Sequence, residues 1–127
     1  MPITNDSDAV AARQKGREIA AANGFSSTDQ TLIATAISEL ARNIVSYAKQ
    51  GEIEVAAITD RGRRGIQVIA RDEGPGIPDI GLAMRDGYST GNSLGLGLPG
   101  AKRLMDEFEL ASTPGTGTTV TMKKWAR

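Results

Sequence analysis

Apolar positions recur along this chain in two periods. Between Ser27 and about Lys49 they return every three or four residues. At roughly 100° per residue, Ile33, Ile37, Leu40 and Ile44 make one stripe, with Leu32, Ala36, Glu39 and Asn43 along its rim. Ser27-Thr-Asp-Gln30 matches a capping box and Gly51 lies just past the stripe, so the spacing predicts a helix over 27–49. Glu39 and Asn43 then face the same way, one turn apart. They are either a solvated helix edge with an i,i+4 hydrogen bond or a pair aimed at a ligand. An earlier helix is predicted over Ala9–Asn23, rich in Ala, Arg, Gln and Lys, between cap candidates at Asn5 to Asp8 and a closing Gly24. Met1-Pro-Ile-Thr4 reads as a clipped edge strand.

After Gly51 the period changes to two. Glu52–Asp60 and Gly65–Asp72 alternate or run apolar with Val and Ile, and Asp60-Arg-Gly-Arg-Arg-Gly65 between them predicts a hairpin with a longer, basic tip. Pro78-Asp79 caps a short helix to about Asp86, and Gly87–Ser93 follows neither period and reads as loop. Leu98-Pro99 opens another helix, where a first-turn Pro sacrifices no hydrogen bond and Leu104, Met105 and Phe108 face inward. Glu109–Thr113 and Thr118–Lys124 are the last strands, joined by Pro114-Gly-Thr-Gly117. This order predicts an α+β two-layer sandwich with helices on one face of a mixed, mainly antiparallel sheet. No repeat or linker interrupts it, and 127 residues with 39% hydrophobic content suit one domain around one core.

Composition narrows the chemistry. The chain has no Cys and no His, so it has no thiolate, no imidazole base and no phosphohistidine. Carboxylates, hydroxyls, amides and a hard cation remain, and Mg²⁺ with a phosphate compound fits that list best. The 15 basic and 15 acidic residues cancel, and the longest run of like charge is the three arginines of Arg61–Arg64, so charge implies neither nucleic acid nor a membrane surface as partner. With no cationic leader and no long apolar segment, a cytoplasmic protein is expected.

Eight of the 15 glycines fall between Gly74 and Gly100, in clusters at Asp72-Glu-Gly-Pro-Gly-Ile77 and Ser93-Leu-Gly-Leu-Gly-Leu98. The first stops a strand with a carboxylate at the sheet's mouth, and the segment between the clusters reads as a cover over a ligand. Gly95-Leu-Gly97-Leu-Pro-Gly100 formally satisfies G-x-G-x-x-G, but polar loop rather than an apolar strand precedes it. It also falls short of a P-loop, because Ala101 precedes Lys102 and no Ser or Thr follows. What survives is a glycine-rich entry to a helix N-terminus, where free backbone N–H groups favour an anion.

Taken together, Glu39 with Asn43, Asp72-x-Gly74-x-Gly76, Gly95-x-Gly97 and Gly117-Thr118 resemble, in order, the N, G1, G2 and Gly-Thr boxes of the GHKL ATPase/kinase superfamily. Ile37-Ser-Glu-Leu-Ala-Arg-Asn43, Asp72–Ile80, Asp86-Gly-Tyr-Ser-Thr90 and Leu94–Phe108 further resemble its RsbT-type switch serine/threonine kinases, over residues 8–127. The first strand is shorter than in that group, and Gly91-Asn92-Ser93 is not distinctive.

The resemblance implies roles. Asp72 would accept from the adenine amino group of ATP, supported by Thr118, unless it only forms the turn before Gly74. Asn43 would hold Mg²⁺, and Glu39 would act as general base. Gly74, Gly76, Ile77, Gly95, Leu96, Gly97 and Leu98 would line the nucleotide. A lid over 79–94 would close on the phosphates, with Tyr88, Ser89 and Thr90 folded over the nucleotide or merely filling loop. The implied acceptors are STAS-domain scaffold or antagonist proteins of RsbS-like and RsbR-like type, and after release an RsbU-like PP2C phosphatase would be the next partner. The alternatives are an anti-sigma factor kinase and a non-catalytic nucleotide-gated binding module.

Overall fold

Asn5 and Ser26 start the two long helices of the computed structural model, which describes residues 1–74, 97–113 and 115–126. Asn5 accepts from the Asp8 N–H at 2.9 Å and Ser26 from the Asp29 N–H at 3.1 Å, each satisfying a donor that a helix start leaves without a partner. Helix α1 accordingly spans Asp6–Ala22 and α2 spans Ser27–Asn43. The second cap lies one residue before the expected Ser27. Ser26 holds the extended backbone a cap requires (φ −64°, ψ 160°), and Gln30 sends its amide to the Phe25 carbonyl at 2.9 Å instead of closing a box.

The end of α2 also departs from expectation. Ile44–Ala48 forms a π-helical turn, and Lys49 (φ 69°) turns the chain out of it. Gly51, the expected terminator, instead begins a strand opposite Asp72, where a Cβ would stand 2.5 Å from the Arg71 carbonyl oxygen and only glycine fits.

The strands are β1 (Pro2–Ile3), β2 (Gly51–Asp60), β3 (Arg63–Asp72), β4 (Glu107–Thr113) and β5 (Gly117–Trp125). They lie in the order β1-β2-β3-β5-β4, and every pairing among the described residues is antiparallel. The clipped first strand pairs Pro2 with Glu52, and the N-terminal ammonium donates to the Ile53 carbonyl at 2.9 Å. The β2–β3 tip is tighter than predicted. Arg63 and Arg64 extend β3, leaving Arg61 and Gly62 as a two-residue turn with φ 53° and 79°. Two successive positive φ values are what a type I′ hairpin requires, and the strand twist favours that turn over a longer loop.

Helix α3 (Gly97–Leu104) begins one residue before the expected Leu98. It ends before Phe108, which lies on β4 rather than on the helix. The α2 stripe is fully realised: Ile33, Ile37, Leu40 and Ile44 are at most 2% exposed and share one core with Ile53, Ile66, Val68, Val120 and Met122 from the sheet. Full burial of such a side chain is worth about 1.5–3 kcal/mol, enough to fix which sheet face α2 covers. Helix α1 packs on α2 through Gly16, where a Cβ would collide with Ile37 Cδ1. Among the described residues no helix is long and apolar enough to cross a membrane.

Candidate active site at the rim of the sheet

Toward one rim of the sheet the inner rows run apolar and then finish on an oxygen-bearing side chain. In β3, Ile66, Val68 and Ala70 lead to Asp72; in β5, Met122 and Val120 lead to Thr118; in β4, Leu110 leads to Ser112. Asp72 pairs with Thr118, and Thr118 with Ser112. Residues directly opposite on antiparallel strands share a face, so three oxygen-bearing side chains stand in a row where the apolar core stops. The Ser112 and Thr118 hydroxyls are 2.9 Å apart, and Ser112 Oγ also donates to the Gly117 carbonyl at 3.2 Å. Thr118 is 6% exposed.

Two glycines make that row possible. Gly117 (φ 141°) lies against the Asp72 backbone, where a Cβ would overlap the carbonyl oxygen. Gly74 donates its N–H to Asp72 Oδ1 at 3.0 Å, and a Cβ on Gly74 would stand 2.6 Å from the Ala48 Cβ. Asp72 is thus a turn-former, and the turn it forms sets Gly74 against Ala48 of the π-helical segment that follows Asn43. The two readings of Asp72 are compatible.

On α2, Glu39 is 3% exposed, which removes the solvated-edge alternative for it. Its Oε1 lies 3.7 Å from Nη1 of Arg42, and among the described residues its Oε2 has no hydrogen-bond partner. A buried carboxylate oxygen without a donor is costly, and such exceptions belong to places where something else arrives. Asn43 is half-buried, and its side chain caps nothing. The donors offered at this end of α2 are oxygens, the set a small hard cation takes, and among the described residues no group of three or more acidic side chains forms a cage.

The remaining expected residues divide. Gly97 opens α3, and Leu98 is 3% exposed in the core, so Leu98 has only its backbone to offer a ligand. Gly76, Ile77, Ser89, Thr90, Gly95 and Leu96 lie outside the described residues, as do the helix expected after Pro78 and the cover over 79–94. Sequence reasoning passed over Ser112. The signal was there, since Ser112 keeps phase with Leu110 and the Pro114–Gly117 turn sets it opposite Thr118.

Known proteins resemble this chain in sequence and in fold. Residues 3–124 match the family model of the histidine kinase-like ATPase domain. Serine/threonine-protein kinase RsbT of Bacillus subtilis (strain 168) is 55% identical over 125 residues, which cover 98% of this chain and 94% of that one. The anti-sigma F factor of Thermoanaerobacter sp. (strain X514) is 38% identical over 99 residues, 73% of this chain and 68% of its own. Among solved structures, the mycobacterial sensor histidine kinase MprB superposes with TM-score 0.59 over 100% of this chain and 97% of that one; at 14% identity this likeness concerns the fold alone.

Proposed function

The chain belongs to the histidine kinase-like ATPase domain family, and we propose that it is an ATP-dependent protein serine/threonine kinase acting as one cytoplasmic domain. Its acceptors on this reading are STAS-domain proteins of RsbS-like and RsbR-like type, and once released it would bind and activate an RsbU-like PP2C phosphatase. The observation that carries the reading is Glu39 Oε2, buried and without a hydrogen-bond partner among the described residues, on the helix that ends at Asn43.

Asp72 accepts a hydrogen bond from the purine amino group while Thr118 supports the same edge. Asn43 is the residue that would hold Mg²⁺, which supplies positive charge against the phosphate oxygens. Glu39 Oε2 takes the proton of the acceptor hydroxyl as its oxygen bonds to the γ-phosphorus. The bond from that phosphorus to the bridging oxygen breaks, and ADP leaves. A positioned base of this kind contributes typically about 10²–10⁴ in rate.

The test is incubation with radiolabelled ATP, Mg²⁺ and a STAS-domain acceptor. Label on the acceptor is expected. A tight nucleotide-dependent complex without label would make the chain a binding module instead. The 38% identity to anti-sigma F factors keeps one second reading, a kinase that also holds a sigma factor; co-purification of a sigma factor would favour it.

A further inference from the structure

Helices α1 and α2 approach closely where Gly16 meets Ile37, but toward the start of α1 and the end of α2 the small residues Ala9 and Ser38 leave the space between them unfilled. An open groove of about 370 Å³ results. Val10 and Val45 give it an apolar wall, with Val10 63% exposed, and Arg13 and Arg42 bring two guanidinium groups to it; Asp6 lines it as well. Arg13 takes part in no ion pair among the described residues. Arg42 is 44% exposed, and its Nη1 lies 3.7 Å from Oε1 of the buried Glu39. The groove therefore opens beside the carboxylate assigned above as the base.

We infer that this groove docks the protein acceptor, through an acidic and partly apolar segment whose carboxylates meet Arg13 and Arg42 while an apolar side chain covers Val10 and Val45. The inference rests on the kinase reading above and adds to it where the acceptor is held. Two guanidinium forks beside an exposed valine match a peptide that carries both kinds of side chain. A free phosphate or a nucleotide matches worse, since it would meet Asp6 with like charge and leave the valines uncovered. A guanidinium has five donors, so Arg42 can receive an incoming carboxylate without giving up Glu39. One side chain then ties the docked segment to the base, and holding a reactant beside a catalytic group is itself a large part of rate enhancement.

Steady-state phosphorylation of a STAS-domain acceptor by the full chain, with ATP saturating, reads docking as the KM for the acceptor. Arg13→Glu should raise that KM about tenfold or more, with the effect on KM rather than kcat and with the ATP dissociation constant unchanged. Val10→Asp should do the same. Both residues are exposed, so melting temperatures should hold. Added salt should raise the wild-type KM and move that of Arg13→Gln less, because part of the screened attraction is already gone. Acidic residues of the acceptor changed singly to Lys should include one that restores the KM of Arg13→Glu, a rescue that a merely structural effect would not allow. A wild-type KM in both Arg13→Glu and Val10→Asp overturns the inference and leaves the kinase intact. Tighter binding of the phosphorylated acceptor, lost in Arg13→Glu, also overturns it by marking a phosphate site. If wild type labels no STAS-domain acceptor, it is the kinase reading that fails.

Discussion

Gly117 lies so close to Asp72 that a Cβ would overlap the Asp72 carbonyl oxygen and stand 3.0 Å from the Glu73 Cα. The glycine that opens β5 is therefore what lets the end of β3 reach its place. Gly117→Ala should cost about 1–3 kcal/mol, because the neighbour is backbone with no rotamer to yield and φ 141° suits glycine alone. Thermal melting should show the loss, and ATP titration should show weaker binding than in a control of equal stability lowered elsewhere in the core.

Asp72→Asn separates the turn from the site. Asparagine can still accept from the Gly74 N–H, so the melting temperature should change little. Replacing a carboxylate acceptor by an amide donor should weaken ATP binding about 10- to 100-fold, the range of a charge-assisted hydrogen bond. Equal binding by the variant would confine Asp72 to forming the turn.

Glu39→Gln should keep ATP binding and lower phosphoryl transfer by about 10²–10⁴. It should also raise the stability of the nucleotide-free protein by about 1 kcal/mol, since an amide costs less than a carboxylate to bury. The ion pair it gives up is weak: Arg42 is 44% exposed and 3.7 Å away. A variant both less stable and unable to bind ATP would mark Glu39 as structural.

Lys124 is 6% exposed and donates to the Leu104 carbonyl at 2.9 Å, at the C-terminal end of α3. A cation there complements the negative end of the helix. Lys124→Met fills the same space and leaves that carbonyl without its donor, so denaturant unfolding should show a loss of about 1–3 kcal/mol. No loss would mean that water satisfies the carbonyl equally well.

At the start of α1, bonds from the Thr4 hydroxyl, the Thr4 N–H and the Asn5 backbone hold the Asp8 carboxyl below its ordinary value of 3.8. A depressed carboxylate adds stability that is complete above the unfolded value and is lost as pH falls through the folded one. Wild type and Asp8→Asn should therefore differ at neutral pH and converge as acid is added below 3.8, read as melting temperature against pH.

Local chemistry was legible where it decides structure alone. The Ile33, Ile37, Leu40 and Ile44 stripe, the strand alternation and the clipped first strand follow from neighbours a few residues away, and each lies where the sequence placed it. The misses are at junctions. Ser26 displaced Ser27 because one backbone torsion decides a cap, and Arg63 and Arg64 joined β3 because strand twist favours the shortest turn.

The sequence by itself determined the order of elements, the face each amphipathic segment buries, and a chemistry limited to oxygen ligands. Those depend on side-chain size, polarity and periodicity, all carried by the chain without reference to distant parts. Tertiary structure alone decided that Glu39 is buried with no donor to Oε2 among the described residues, that a π-helical turn meets Gly74, and that Ser112, Thr118 and Asp72 form one row. Cross-strand register and burial arise when segments far apart in sequence share one core, and a shift of a single residue in either strand would turn that row to the other face.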